Sequence, residues 1–194
     1  MKLIFATNNA NKIEEINNVL KTTDIEVVSL KEIECFDDIP EEQDTLEGNA
    51  LQKARYIKEK YGFDCFADDT GLEIDALNGE PGVYSARYAG ESKNAEDNMN
   101  KVLLKMQDAT NRKAKFRTVI ALILGDKEYI FEGKVDGEIL KDKQGEQGFG
   151  YDPIFKAEQM NKSFAQMSLD EKNTISHRAR ATKKLCEFLS SQKH

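Results

Sequence analysis

Apolar residues recur along the chain at two spacings, which predict an alternation of strands and helices. Short apolar runs at residues 2–6 and 25–30 are typical of buried strands. Between them, apolar positions on one helical face predict a helix that carries Ile13, Ile16, Val19 and Leu20. The same pattern predicts a helix over residues 45–61, with an apolar stripe of Leu46, Ala50, Ala54 and Ile57.

The second half of the chain adds a hairpin and further helices. Residues 94–107 and the tail at 176–190 follow the helical pattern, and Ser168 begins an S-x-x-E sequence typical of a helix start. Residues 116–133 are typical of a hairpin that turns near Gly125. Mixed strands and helices with at least one antiparallel pair predict an α/β fold with a mixed sheet.

Length and composition are those of an ordinary globular chain. The 194 residues suit one domain, so we expect residues 1–194 to form a single domain. Hydrophobic residues make up 39% of the chain and charged residues 32%, as in other soluble domains. The net charge of −7 disfavours binding to nucleic acid, which depends on cations that neutralise phosphates. We therefore expect no nucleic-acid partner.

The cysteines and the lengths of the apolar runs indicate where the protein is located in the cell. Cys35, Cys65 and Cys186 are odd in number and widely spaced, which argues against a disulfide framework or a zinc site and fits a reducing compartment. The longest purely apolar run, residues 119–124, is far shorter than a membrane span. The N-terminal stretch MKLIFATNNANK has no long apolar signal core. We expect a cytoplasmic protein with no membrane partner.

An acidic sequence, A-D-D-T-G at residues 67–71, follows a short predicted strand. Oxygen ligands suit Mg²⁺, which typically takes one or two carboxylates together with waters and substrate phosphates. Asp68 and Asp69 repel each other unless a cation or solvent separates them. The alternative interpretation is an acidic turn that water solvates.

Two further segments are suited to an anion. In ATNNANK, at residues 6–12, a predicted strand enters a helix whose free N–H groups and dipole favour an anion, with Lys12 nearby. The alternative is an ordinary strand–helix turn with an Asn cap. Residues 171–184 concentrate basic side chains in an acidic chain and place His177 near a predicted helix start. The alternative there is a solvated helix face.

The sequence GFGYDP, at residues 148–153, is suited to a nucleotide base. Glycines on both sides of Phe149 let the backbone approach a ligand. Phe149 and Tyr151 could stack on a base, and Asp152 could accept hydrogen bonds from it. On these residues alone, a strand-entry turn with its aromatic rings in the core is favoured. The sequence contains no Walker A loop, no G-x-G-x-x-G after the first strand and no triad signature.

Six motifs occur in order along the chain and together are far more specific than any one alone. They are T-N-N-x-x-K at 7–12, a modified E-x-N-A-x-x-K-A at 47–54, A-D-D-[ST]-G at 67–71, P-G-x-Y-S-A-R-Y at 81–88, G-F-G-Y-D-P at 148–153 and K-x-x-I-S-H-R at 172–178. With these motifs the chain closely resembles the non-standard purine nucleoside triphosphate pyrophosphatases, the inosine/xanthosine triphosphate pyrophosphatase family. The resemblance extends from residue 3 to about residue 185.

The resemblance implies an elongated mixed β-sheet with flanking helices, in two lobes around a central cleft that holds the active site. It implies a homodimer that depends on Mg²⁺ and acts on a purine nucleoside triphosphate. The reaction it implies is hydrolysis of ITP, dITP and XTP to the monophosphate and pyrophosphate, which cleanses the nucleotide pool.

The resemblance also assigns residues to roles. Asp69 is expected to be the catalytic residue and a metal ligand, and Glu41, or its neighbour Glu42, is expected to be the second metal carboxylate. The expected substrate-binding residues are Thr7, Asn8, Asn9, Ala10, Asn11, Lys12, Thr70, Phe149, Gly150, Tyr151, Asp152, Lys172, His177 and Arg178.

A chemistry follows from these assignments. Mg²⁺ would orient a water molecule, and Asp69 would take the proton of that water during attack at the α-phosphorus. Lys12, Lys172 and Arg178 would stabilise the departing pyrophosphate. A donor from the His177–Arg178 segment would pair with the 6-carbonyl of hypoxanthine or xanthine but not with the 6-amino group of adenine. The expected order is ITP, dITP and XTP well above GTP, with ATP poorest.

The chain departs from the family pattern at two positions. Asn8 stands where the family usually has glycine, and Asn is the next most tolerant residue if that position needs a positive φ. Gly48 stands where the family often has a second acidic residue after Glu47. This leaves open whether the helix over residues 45–61 takes part in metal binding.

Two other functions are alternatives. A haloacid-dehalogenase-like phosphatase would use an aspartate nucleophile and release inorganic phosphate, although its D-x-D signature fits A-D-D-T-G poorly. A non-catalytic nucleotide-binding module would bind tightly without Mg²⁺-dependent turnover.

Overall fold

The computed structural model describes residues 1–192 as a mixed α/β fold. Its strands are β1 Lys2–Phe5, β2 Glu26–Ser29, β3 Cys65–Ile74, β4 Lys113–Leu124, β5 Lys127–Ile139 and β6 Phe155–Ala157. Its helices are α1 Ala10–Leu20, α2 Leu46–Tyr61, α3 Ala95–Lys105, α4 Leu169–Ile175 and α5 His177–Ser191. The predicted class, a mixed sheet with flanking helices, is confirmed.

The six strands form one mixed sheet in the order β2-β1-β3-β4-β5-β6. β1 pairs in parallel with β2 and with β3, where Phe5 is in register with Phe66. β5 and β6 pair antiparallel. The predicted hairpin is present as β4 and β5, joined at Gly125, whose φ of 60° lies in the region that glycine adopts without strain.

The chain forms two compact units. The first comprises residues 1–69, 118–133 and the C-terminal segment from residue 177, and the second comprises residues 70–117 and 134–176. β3, β4 and β5 each contribute residues to both units. The expectation of a single functional domain over residues 1–194 stays a prediction.

The core of the first unit lies between its part of the sheet and helices α1 and α5. Phe5 and Phe66 stack with their ring centroids 4.5 Å apart. The core is completed by apolar side chains from both helices and from β1 and β4: Leu3, Ile16, Leu20, Ile120, Leu122, Ala181, Leu185 and Leu189. Ile16 and Leu20 of the apolar stripe predicted for α1 therefore lie in this core, with Ile13 packed against it.

The core of the second unit is rich in aromatic rings. The rings of Phe116 and Phe155 meet edge-on with their centroids 4.6 Å apart, and the ring centroids of Phe164 and Phe155 are 5.0 Å apart. Helix α3 contributes Met99 and Val102 to the same cluster. These rings fix the chain around β6 and the residues that precede it.

Three helix starts are capped by polar side chains. Asn9 caps α1, Thr45 caps α2, and Ser168 forms a capping box with Glu171 at α4. The sequence suggested a break after the acidic pair, yet β3 runs without interruption from Cys65 to Ile74. Within residues 1–192, no helix is both long and apolar enough to cross a bilayer.

Candidate active site

The two adjacent carboxylates of β3 contact different partners. Successive side chains of a strand point to opposite faces. Asp68 is paired with Lys12 and Arg178, whereas Asp69 lies next to Lys53. Both carboxylates are buried. The acidic sequence is therefore not a turn solvated by water, and the mutual repulsion is relieved by cations on both sides of the strand.

Asp68 lies at the centre of a buried ion-pair network. Its carboxylate accepts hydrogen bonds from Lys12 Nζ at 3.0 Å and from Arg178 Nε at 3.1 Å. Arg178 donates a second bond to Glu15 of α1. Burial alone would raise the pKa of Asp68, but the charges of Lys12, Arg178 and Lys53 outweigh it and hold the pKa below its usual value. Asp68 is therefore ionised.

Asp69 is held by two side chains of α2 that are one helical turn apart. Asn49 Nδ2 donates to Asp69 Oδ2 at 3.0 Å. Lys53 Nζ lies 4.0 Å from Asp69 Oδ1 and donates to the main-chain carbonyl of Asp68 at 2.7 Å. Burial raises the pKa of the Asp69 carboxyl, although the charges of Lys53 and Lys12 oppose the shift. Such a carboxylate is suited to accept a proton.

Glu41 reaches the same ammonium group as Asp69. Its carboxylate is hydrogen-bonded to Lys53, whereas the neighbouring Glu42 is exposed and uses its main-chain N–H to donate to Gln52. The structure therefore places Glu41, and not Glu42, beside the partners of Asp69. It also shows that α2 takes part in this region through Asn49 and Lys53 despite the glycine at position 48.

The donor set around Lys53 fits Mg²⁺. Asp69 and Glu41 offer hard carboxylate oxygens, and Mg²⁺ usually takes one or two carboxylates and completes its shell with waters and phosphates. In residues 1–192, no group of three or more His, Cys, Asp or Glu side chains is placed to hold a metal ion. Protein ligands alone would thus give an incomplete shell.

The N-terminal loop is an Asn-capped helix start. Asn9 Oδ1 accepts from the N–H groups of Asn11 and Lys12 at 3.1 and 3.3 Å, and Thr7 Oγ1 accepts from Asn9 N at 3.2 Å. Asn8, Asn9, Ala10 and Asn11 are exposed. Asn8 is not among the described non-glycine residues with positive φ, so its departure from glycine needs no left-handed backbone.

The second unit brings the GFGYDP segment together with α4. Asp152 Oδ2 accepts from Phe149 N at 2.9 Å and from Lys172 Nζ at 2.6 Å. The ammonium group of Lys172 also lies 4.9 Å from the centroid of the Phe149 ring. Gly148 has a φ of 72°, and a Cβ there would lie 2.1 Å from Asp152 Oδ2, so the close approach requires glycine.

Three other predicted residues have distinct surroundings. Tyr151 belongs to the core of the second unit, and its hydroxyl donates to the carbonyl of Ser85 at 2.7 Å. Thr70 follows Asp69 on β3 and is half-buried. His177 is buried at the first position of α5, where Gly133 of β5 permits close approach, since a Cβ there would lie 2.1 Å from His177 O.

Three residues that contact predicted site residues were not themselves predicted from the sequence. Asn49 and Lys53 belong to the motif at 47–54, and their spacing of four on a predicted helix signalled a shared face. Glu15 had no motif, and its only signal was its position three residues after Lys12 on the same helix.

Comparison with known proteins decides the family. The model of the Ham1 family matches residues 3–188. The chain belongs to the Ham1 family. This confirms the family resemblance that the sequence motifs indicated.

Members with known sequences and structures match this Ham1 chain over its full length. It is 58% identical to a dITP/XTP pyrophosphatase of Flavobacterium johnsoniae, with 100% of both chains covered. It is 53% identical to a dITP/XTP pyrophosphatase of Porphyromonas gingivalis, with 97% of each covered. The Ham1 protein of Staphylococcus aureus is 41% identical and superimposes with a TM-score of 0.89, covering 99% of this chain and 100% of that one.

Proposed function

We propose that this Ham1 protein hydrolyses dITP, ITP and XTP to the monophosphate and pyrophosphate, and so cleanses the nucleotide pool. The observation that carries the proposal is Asp69, a buried carboxylate with a raised pKa that shares Lys53 with Glu41. Relatives called dITP/XTP pyrophosphatases, identical at more than half of their positions and covered over their whole length, support the substrate class.

Asp69 and Glu41 would hold a Mg²⁺ ion. When bound, the ion supplies a Lewis acid that neutralises phosphate charge and orients water. An ion held there would share these carboxylates with Lys53, because the ammonium group contacts Glu41 and lies near Asp69.

In the proposed reaction, one proton is transferred to a side chain of the protein. A water oxygen forms a bond to the α-phosphorus while the bond from the α-phosphorus to the bridging oxygen breaks. Asp69 accepts the proton of the water, and pyrophosphate leaves. Lys12, whose side chain is partly exposed on α1, binds a phosphate oxygen.

The GFGYDP segment and Lys172 are assigned to the base. Phe149 stacks on the purine ring, and Asp152 is fixed as an acceptor by Lys172 and by Phe149 N. We assign Lys172 to the base and not to the phosphates, because its ammonium group is held by Asp152 and faces the Phe149 ring. Tyr151 supports this loop from the core.

Discrimination at position 6 of the purine is assigned to the start of α5. The first N–H groups of a helix have no acceptor within the helix. A donor from the His177–Arg178 segment would pair with the 6-carbonyl of hypoxanthine or xanthine and oppose the 6-amino group of adenine. The Arg178 side chain already binds two carboxylates, so we assign this contact to the main chain or to His177.

The assembly and compartment are proposals of the same kind. We propose a homodimer in the cytoplasm that uses Mg²⁺. Three free cysteines fit a reducing compartment, and light scattering of the purified chain tests the dimer. The overall negative charge supports a protein that does not bind nucleic acid.

Isotope labelling tests the reaction. With dITP, Mg²⁺ and H₂¹⁸O, attack at the α-phosphorus places the label in dIMP and leaves pyrophosphate unlabelled. Label in inorganic phosphate would instead support a phosphatase that attacks the terminal phosphorus. Nucleotide binding without any Mg²⁺-dependent product would support a binding module.

A further inference from the structure

Four buried or half-buried side chains of the first unit form one ion-pair network. Lys12 and Glu15 lie one turn apart on α1, Asp68 lies on β3, and Arg178 lies on α5. Asp68 is paired with Lys12 at 3.0 Å and with Arg178 at 3.1 Å, and Arg178 is paired with Glu15. Two cations and two anions thus share one region.

Side-chain exposure separates the two cations. Lys12 retains 15% of its side-chain accessibility, whereas Arg178 retains 1%, and its two carboxylate partners are also buried. Only a side chain with access to solvent can turn toward a ligand without opening the fold. Lys12 meets that condition, and the Arg178 guanidinium is fixed by two carboxylates on different elements.

The energetics explain why Asp68 needs two cations. A buried charge that loses its partner strongly destabilises the folded protein. If Lys12 were the sole counter-ion of Asp68, its departure toward a phosphate would leave a buried anion unpaired. Because Arg178 stays on Asp68, the carboxylate remains paired when Lys12 leaves.

We infer that Arg178, fixed by Glu15, is the standing counter-ion of Asp68, and that Lys12 is an exchangeable cation which Asp68 releases to a substrate phosphate. This inference rests on the proposed function. It makes Arg178 and Glu15 positioning residues for Lys12. Glu15 also adds a negative charge to the network, which helps to retain Lys12 in it.

A double-mutant cycle on binding tests the exchange. The probe is the α,β-methylene analogue of ITP, whose bridging carbon resists cleavage, titrated with Mg²⁺ by calorimetry. Lys12→Met should weaken binding about tenfold or more in the parent, because a charge-assisted contact is lost. In an Arg178→Met background, Lys12 is retained by Asp68, so Lys12→Met should change Kd by less than about threefold. If Lys12→Met changed Kd by the same factor in the parent and in Arg178→Met, the two residues would act independently, and the inference would be overturned.

Glu15→Gln provides a second test that does not depend on the folding of Arg178→Met. The amide keeps an acceptor for Arg178 but removes one negative charge, so Lys12 is released more easily and Kd should fall several-fold. A purely structural role predicts weaker binding, and that result would overturn the inference. Circular dichroism and urea unfolding confirm that each variant is folded. If the parent itself fails to bind the analogue, the proposed function fails, and the inference fails with it.

Discussion

The ammonium group of Lys53 lies 4.0 Å from a carboxylate oxygen of Asp69 and donates a 2.7 Å hydrogen bond to the main-chain carbonyl of Asp68. One lysine therefore connects α2 to β3 at the acidic pair and supplies part of the positive charge around it. Only 7% of the Lys53 side chain is accessible, so its charge is held inside the site.

Asp69→Asn should abolish most of the activity and leave the fold intact. The amide removes a metal ligand and the proton acceptor together, and loss of the acceptor alone costs on the order of a hundred- to ten-thousand-fold in kcat. Asp126→Asn, an exposed position in the β4–β5 turn, is the matched control and should behave like the parent. Near-normal turnover of Asp69→Asn with dITP would refute the assignment.

Lys53→Met should make the stability of the protein depend more strongly on Mg²⁺. Without the ammonium group, Glu41 and Asp69 lose their shared cation, and a divalent ion takes its place. We expect Mg²⁺ without substrate to raise the thermal midpoint of Lys53→Met more than that of the parent. Lys53→Arg, which keeps the charge, is the control. The same Mg²⁺ response in Lys53→Met and the parent would contradict the proposed ligand pair.

Lys172→Met should destabilise the second unit. The side chains of Lys172 and Asp152 are each 3% accessible, and removing one partner of a buried pair typically costs about 3–5 kcal/mol. The double variant Lys172→Met/Asp152→Asn should lose less than the sum of the two single losses. Lys162→Met, from a partly exposed pair with Glu171, is the control and should cost less than about 1 kcal/mol. Urea unfolding measures the free energy of unfolding of the two single variants, the double variant and the control. Additive losses of that free energy would show that Lys172 and Asp152 are not coupled.

The sequence predicted those parts of the fold that depend on local pattern. Apolar spacing located α1 and α2, and the cap at Ser168 located the start of α4. The sequence did not reveal the continuity of β3 through its acidic pair, because the cations that neutralise the pair come from other elements. From the sequence alone, a cation site and a solvated acidic turn both stayed open for Asp68 and Asp69.

The partners of Asp68 show why the site was only partly predictable. Lys12 lies 56 positions away in sequence and Arg178 lies 110 positions away. Single-chain patterns show which residues carry charge, but pairing at such separations is set by the packing of α1 and α5 against the sheet. Motifs therefore named candidate site residues without showing that the Arg178 side chain is held by two carboxylates.

Cys65 should resist alkylation in the folded protein. Burial raises the pKa of its thiol to about 12, from the usual 9.0, so the reactive thiolate is scarce at pH 8. Because the folded pKa exceeds the unfolded one, this group's contribution to stability is complete below pH 9 and is lost as the pH rises toward 12. Mass spectrometry after iodoacetamide treatment should find the half-buried Cys186 modified before Cys65. Labelling of Cys65 at the rate of an exposed thiol would show that β3 is not packed as described.

The relative kcat/KM values of ITP, dITP, XTP, GTP and ATP, measured on one preparation with Mg²⁺ and scored by pyrophosphate release, test the central claim most directly. A site that reads the 6-carbonyl leaves a buried donor unpaired when adenine binds, so ATP should fall at least about a hundredfold below ITP. We predict ITP, dITP and XTP well above GTP, with ATP poorest and pyrophosphate as the product. ATP hydrolysed as well as ITP, or inorganic phosphate as the product, would contradict the account.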